Sequence, residues 1–129
     1  MPTIADVMRP DLIEVAPEDT LGEVAARMTE VNVGAVVVKD FGRLIGILTE
    51  RDMLKAMAAR VHTSEARVRQ WMTEEPITAT GDMDVDEAAR LMLANGFRHL
   101  PVCDENGQVT GVVSLRRVVA ATTAATNPA

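Results

Sequence analysis

The sequence predicts an α/β protein made of one small β-α-β-β-α unit written twice. Two observations carry this. First, residues recur at an offset of 64: Met8 falls on Met72, Ile13 on Ile77, Glu23 on Glu87, Ala25 on Ala89, Met28 on Met92, Val38 on Val102 and Asp40 on Asp104. Beyond the hairpin the offset becomes 65, because the Asp104-Glu105-Asn106-Gly107 turn is one residue longer. Gly42 then falls on Gly107, Gly46 on Gly111, Thr49 on Ser114 and Arg51 on Arg116. Second, the joint Gly46-Ile47-Leu48-Thr49-Glu50-Arg51-Asp52, an apolar strand running into a helix start, returns as Gly111-Val112-Val113-Ser114-Leu115-Arg116-Arg117.

Each element has a local reason. Thr3 to Met8 reads as a short helix, with Thr3 as N-cap, Asp6 three residues on and Pro10 as its stop. Leu12 to Val15 reads as a strand, and Pro17-Glu18-Asp19-Thr20 as the turn into a helix. Thr20 and Glu23 have capping-box spacing, and Leu21, Val24, Ala25 and Met28 follow at helical intervals. Asn32 and Gly34 close that helix. Ala35 to Val38 is a buried strand, Asp40-Phe41-Gly42 a turn, Arg43 to Leu48 the return strand, and Glu50 to about Arg60 the second helix. The second copy repeats this order, with Asn106-Gly107 as its hairpin signal. Residues 1–60 form the first repeat, 61–70 a polar connector, 71–121 the second repeat and 122–129 a fraying tail. Ser64 is the expected N-cap of a short helix ending near Met72, and Trp71 the expected anchor of the connector.

Composition narrows the function. Of 129 residues 47 % are apolar, so a core is within reach, yet only 2 % are aromatic and none is Tyr. Few rings argue against stacking platforms for single-stranded nucleic acid. A net charge of −6 and a pI near 4.8 argue against a broad nucleic-acid or anionic-membrane surface. One cysteine, Cys103, allows no internal disulfide and fits a reducing cytosol; it is expected to be a small buried apolar residue. No signal peptide or membrane-spanning run is visible, so a cytoplasmic protein is expected.

Neither repeat can cover both faces of its own sheet, so two copies packed about a pseudo-twofold axis are expected, with the joints after Leu48 and Val113 opening into clefts. A strand that ends at a helix N-terminus presents backbone N–H groups to an anion. At the first joint Thr49 and Asp52 support two compatible readings, a helix cap and a ligand contact. At the second, Ser114 matches Thr49, but Arg117 replaces the acid and can only donate. Arg117 is then a phosphate or partner contact, or a solvated surface residue. Pro101 removes a ladder donor, which predicts an edge strand or a cleft wall.

No Ser/His/Asp set, Cys/His nucleophile, Gly-rich phosphate loop or metal-ligand cluster is present, so neither an enzyme nor a metal site is expected. His62 has no ligand partner at suitable spacing, and Asp82, Asp84, Asp86 and Glu87 read as a helix-start charge cluster. Helix faces carrying Val24, Met28, Met53, Met57, Leu91 and Met92 suggest self-association, most simply a twofold homodimer.

The order of elements, the Asp-Val-Met and Gln-Trp-Met openings, Arg98-His99-Leu100-Pro101-Val102 and the Gly46 to Asp52 joint closely resemble a cystathionine-β-synthase (CBS) domain pair, or Bateman module, over roughly Thr3 to Ala121. The resemblance implies a disc-like dimer that binds AMP, ADP, ATP, S-adenosylmethionine or a related ligand. It further implies a stand-alone module that regulates a separate effector protein, with no cofactor of its own. Thr49 and Asp52 match the family's ribose and phosphate motif, with Arg51 between them. Arg98 and His99 lie where family members carry basic residues that reach phosphates. Ile13, Val15, Ile77 and Ala79 correspond to apolar residues that flank the adenine ring, and they equally suit ordinary core. An interaction protein with empty clefts is the alternative function.

Overall fold

The structure is a computed structural model that describes residues 2–9 and 12–126, with 123–126 described by backbone alone. Pro10 and the end of the tail lie outside the described residues. The elements in order are α1 (Ile4–Val7), β1 (Glu14–Val15), α2 (Leu21–Val31), β2 (Ala35–Asp40), β3 (Arg43–Thr49), α3 (Glu50–Ala58), α4 (Val68–Trp71), β4 (Thr73–Glu74), β5 (Ala79–Thr80), α5 (Val85–Asn95), β6 (His99–Cys103), β7 (Val109–Ser114) and α6 (Leu115–Thr126). They form two compact units: a continuous one, Ile13–Pro76, and a split one, Met1–Leu12 with Ile77–Ala129.

In the continuous unit the sheet order is β1-β2-β3-β4. β1 runs parallel to β2, while β2/β3 and β3/β4 are antiparallel. The central strand β2 has Val36, Val37 and Val38 fully buried, as a strand covered on both faces requires. Its hairpin to β3 turns through Phe41 and Gly42, both at positive φ (52° and 78°), the backbone a two-residue turn needs. The core gathers Ile13, Val15, Leu21, Val24, Met28, Leu48 and Val68, with Trp71 and Met72 packed against it.

The split unit holds the sheet β5-β6-β7, parallel then antiparallel. Its longer hairpin is organised by Asp104, whose carboxylate accepts from the N–H groups of Asn106 and Gln108, both at 2.9 Å. Gly107 alone takes positive φ there, so the Asn-Gly signal marks a wider turn than a two-residue one. Ile4, Ala88, Met92, Leu100, Val102, Val113 and Val118 form the core.

Each unit is completed by a helical turn from outside its own repeat: α1 from the first repeat, and α4 mostly from the connector. In the continuous unit α4 docks through Val68 N–H to Asp19 O and Arg69 N–H to Pro17 O, both 2.9 Å. In the split unit α1 docks through Ile4 N–H to Met83 O at 2.8 Å and Ala5 N–H to Gly81 O at 2.9 Å. These are the same bonds moved by 64 positions. The carbonyls of Ala66 and Pro2 then accept from the first N–H of α2 and α5 respectively, at 3.0 and 3.3 Å. The connector is therefore part of the packing, with Ala66 and Val68 buried. Ser64 does not cap α4. Its neighbours His62 and Ala66 close a turn at 2.8 Å, and Arg67 occupies the cap position, with the Gln70 side chain accepting from its N–H.

After each docked turn the chain crosses a strand at a glycine. β4 pairs Glu74 with Gly46 and Thr73 with Ile47. This polar two-residue strand carries no apolar signal and sequence reading missed it. In the split unit Arg9 and Val112 exchange backbone bonds of 2.9 and 3.2 Å. A Cβ on Gly46 would lie 2.7 Å from the Met72 sulfur and 2.9 Å from the Thr73 carbonyl oxygen. On Gly111 it would lie 2.6 Å from the Arg9 carbonyl oxygen and 3.0 Å from the Met8 sulfur. The paired glycines are thus required by close backbone approach rather than by φ.

Gly111→Ala is expected to lower stability by about 1–3 kcal/mol in urea unfolding, because a backbone carbonyl must move. Gly81→Ala, which meets only the Ala5 methyl at 3.4 Å, is expected to stay within about 0.5 kcal/mol of the parent.

Candidate functional site

The joint of the continuous unit is built by three local facts. β3 ends in a buried apolar pair, Ile47 and Leu48. Thr49 then leaves the strand with extended backbone (φ −120°, ψ 170°) and becomes the N-cap of α3. Asp52, three residues on, turns back: its Oδ2 accepts from the Thr49 N–H at 2.9 Å and the Thr49 hydroxyl at 3.1 Å. The Asp52 N–H donates to the same hydroxyl at 3.4 Å. This is a capping box, and it holds Asp52 at 8 % exposure. The Glu50 N–H donates to Gly34 O at 3.0 Å and ties the joint to the start of β2.

Both bonds to the Asp52 carboxylate fall on one oxygen, Oδ2. The other oxygen takes no part in the cap. A carboxylate so placed can hold the helix start and still accept a hydroxyl proton. Arg51 lies between the two on the exposed side of α3. Beside the joint an open groove of about 350 Å³ is lined by Ala25, Met28, Thr29, Asn32, Val33, Glu50 and Met53. Periodicity had placed Met28 and Met53 on a helix face but gave no sign of the space between them.

The joint of the split unit keeps the frame and changes the chemistry. Leu115 N–H donates to Arg98 O at 2.8 Å, the twin of the Glu50 bond. Ser114 Oγ accepts from the Arg117 N–H at 3.2 Å. Arg117 is neither an acid nor a merely solvated cation, because its guanidinium donates to Val7 O at 3.2 Å. A positive group there complements the C-terminal carbonyls of α1. Arg98 is exposed, and His99 is half-buried as the first residue of β6, in register with Ser114.

The apolar candidates divide. Ile13, Val15 and Ala79 are buried at 8, 4 and 1 % exposure, whereas Ile77 is 44 % exposed. Pro101 gives a reason. At its counterpart the Val37 N–H donates to Ile13 O at 3.1 Å. Proline has no N–H, so this bond cannot form in the split unit. β5 begins pairing only at Ala79 with Val102. The expectation of an edge strand fails, since β6 is central in its sheet. The proline is tolerated because the neighbouring strand is too short to need its donor.

Two further expectations are corrected. Val24, Met28 and Met92 do not offer surface, being 1, 6 and 0 % exposed. Cys103 is half-buried rather than buried. Burial, and then the Asp104 carboxylate, push its thiol above the ordinary range. Among the described residues no three acidic, His or Cys side chains gather as a metal site, and no helix is long and apolar enough to cross a membrane.

The CBS domain family model matches residues 4–59 and 68–123. A 17.7 kDa protein of Acidianus ambivalens is 43 % identical over 79 % of this chain and 62 % of its own length. A Methanopyrus kandleri protein is 36 % identical over 91 % of this chain and 61 % of its own length. The chain thus spans about three fifths of these relatives. Among solved structures, CBSX2 in complex with AMP superposes with a TM-score of 0.77 at 26 % identity, covering 98 % of this chain and 100 % of that one. The CBS domain pair of MJ0100, solved with 5-methylthioadenosine and S-adenosyl-L-methionine, gives 0.84 at 26 % identity over 93 and 98 %.

The cap makes its own prediction. Asp52→Ala removes both acceptor bonds and is expected to cost about 1–2 kcal/mol of stability without ligand, whereas Asp52→Asn, which keeps an acceptor oxygen, recovers most of it. The Cys103 thiol is expected to alkylate more slowly than free cysteine near pH 8, its rate still rising above pH 9 as the thiolate forms. Asp104→Asn should speed it, because the repelling charge is gone and the turn acceptor is kept.

Proposed function

The chain belongs to the CBS-domain family, and on that premise we propose that it is a regulatory module, not an enzyme, that binds an adenosine-containing ligand. AMP, ADP, ATP and S-adenosylmethionine are the candidates, and the response passes to a separate effector protein. The observation that carries this is the pairing of Thr49 with Asp52 at the strand-to-helix joint, in a chain similar along its length to proteins solved with AMP or S-adenosyl-L-methionine.

In this reading Asp52 accepts from the ribose hydroxyls through the oxygen outside the cap, Thr49 contributes its hydroxyl, and Arg51 serves phosphate charge. In the split unit the half-exposed Ile77 offers an apolar edge, and Pro101 beside it brings no N–H donor. Ile13 and Val15 in the continuous unit and Ala79 in the split unit are the buried apolar residues of the corresponding positions. Arg98 and His99 sit with Ser114 at the second joint and suit phosphate. Arg117, engaged with Val7 O, cannot play the part of Asp52, so the two joints are not equivalent and one nucleoside per chain is the expected stoichiometry. Ligand works by favouring one arrangement of the protein over another, and its effect is limited by its difference in affinity between them. Self-association as a homodimer and a cytoplasmic location complete the proposal, the latter supported by the single cysteine.

A second reading, an interaction protein without a ligand, is favoured by one observation. Thr49 and Asp52 bond each other as a capping box, a role that stabilises the helix by itself.

Titration of the ligand-stripped protein separates the two. At least one of AMP, ADP, ATP and S-adenosylmethionine is expected to bind more tightly than about millimolar and to raise stability by roughly 2.7 kcal/mol at a hundredfold excess over Kd. Asp52→Asn is expected to weaken binding at least tenfold while keeping the fold. No binding of any of the four would remove the sensing function and leave the interaction protein.

A further inference from the structure

The two repeats differ at the tips of their hairpins in a way that bears on covalent chemistry. The first turns through Asp40-Phe41-Gly42 and the second through Asp104-Glu105-Asn106-Gly107. An asparagine followed by glycine is open to attack from within the chain, because glycine has no side chain to keep its nitrogen from the neighbouring amide carbon. The chain has two such pairs, Asn95-Gly96 at the end of α5 and Asn106-Gly107 between β6 and β7. A Cβ on either glycine would meet nothing within 4 Å, so open space lies beside both. Their bonding tells them apart.

The Asn95 side chain donates to Leu91 O at 2.8 Å, and the Gly96 N–H donates to Met92 O. Met92 is fully buried. Bringing the Gly96 nitrogen to the Asn95 amide therefore means unwinding the last turn of a packed helix. Asn106 is exposed, and among the described residues its side-chain amide has no partner. The Gly107 N–H donates to Asp104 O at 3.0 Å, one bond across an exposed turn. Local opening costs least where backbone bonds are exposed and little packs on them.

We propose that Asn106 is a site of spontaneous deamidation and that its isoaspartyl product loosens the β6–β7 hairpin. The Gly107 nitrogen gives its proton to solvent base and attacks Asn106 Cγ. The Cγ–Nδ2 bond breaks and the amide leaves as ammonia, taking a proton from solvent, so a five-membered imide joins the two residues. Water then opens the ring at either carbonyl. Opening at Cγ gives aspartate, and opening at the main-chain carbonyl gives isoaspartate, with the chain routed through the former side chain. Ammonia leaves, water is added, and nothing is oxidised or reduced. The isoaspartyl form has one more backbone carbon inside the turn that Asp104 spans. The Asp104 carboxylate accepts from the N–H groups of Asn106 and Gln108, and its own N–H donates to Gln108 O at 2.8 Å. Lengthening the chain between them pulls these bonds apart, and the new carboxylate falls beside Asp104 and Glu105. Cys103 and Val109, the last pair of the ladder, adjoin the altered turn. The first repeat has no asparagine in its turn, so only one hairpin changes.

Incubating the full chain in mildly alkaline buffer tests this, with tryptic peptides followed by mass. Cuts after Arg90, Arg98 and Arg116 place Asn95 on peptide 91–98 and Asn106 on peptide 99–116. In the folded protein 99–116 is expected to gain about one mass unit at least about tenfold faster than 91–98. Electron-transfer fragmentation is expected to find isoaspartate at position 106. In urea, where neither pair is held, the two peptides are expected to convert at comparable rates. The isoaspartyl fraction, separated by chromatography, is expected to unfold at lower urea than fresh protein. Asn106→Asp, which carries the charge without the added carbon, is expected to lose less, and aged Asn106→Gln is expected to match its fresh form. Folded protein in which 91–98 converts as fast as 99–116, or in which 99–116 stays unchanged although it converts in urea, overturns the site. An isoaspartyl fraction as stable as fresh protein overturns the loosening, and an Asn106→Asp chain as weak as the isoaspartyl one overturns the added carbon as its cause.

Discussion

One backbone bond, made twice, fixes both joints. Glu50 N–H donates to Gly34 O, and Leu115 N–H donates to Arg98 O. Each bond ties the first residue of a helix to the residue just before a neighbouring strand. It satisfies a helix-start donor that has no partner within the helix. It also leaves the N-cap side chain, Thr49 or Ser114, at the end of its strand, with its hydroxyl turned to the third helical residue. What the third residue is then decides the chemistry. Asp52 folds back as an acceptor, while Arg117 reaches away to the end of α1. Duplication supplied one frame, and Arg117 in place of the acid made the two joints unequal.

The frame is held by exchange. α1 is written in the first repeat and completes the unit of the second, and α4, written mostly in the connector, completes the unit of the first. Each crosses its strand at a glycine because a methyl group would collide with the passing backbone. Neither repeat alone supplies the turn that covers its own helix start. The exchange explains why a polar connector contributes Ala66 and Val68 to a core.

The proposed function draws on the unequal parts. The oxygen of Asp52 left outside the cap and the missing donor at Pro101 are features in which one repeat departs from the other. Within the proposal of an adenosine-responsive regulator, these departures separate a nucleoside end from a basic end.

Periodicity, caps and the repeat are local, so they were legible in the sequence. Thr20 with Glu23, Asn32 at the helix end and the 64-residue offset placed helices and strands close to where they lie. Long-range contacts left no such trace. Nothing near Met8 announces that its chain will press on Gly111, and nothing in Thr73-Glu74 announces a strand. Pro101 suggested an edge and lies in a central strand, because the length of β5 decided what its missing N–H would cost. Arg117 and Met28 likewise took their roles from neighbours distant in sequence. The sequence by itself determined the elements and their duplication, since both depend on residues within a few positions or on comparison along the chain. Tertiary structure alone decided which turn completes which unit, which apolar residues stay outside and which polar atoms are left outside the caps, because each depends on what another segment brings within a few ångströms.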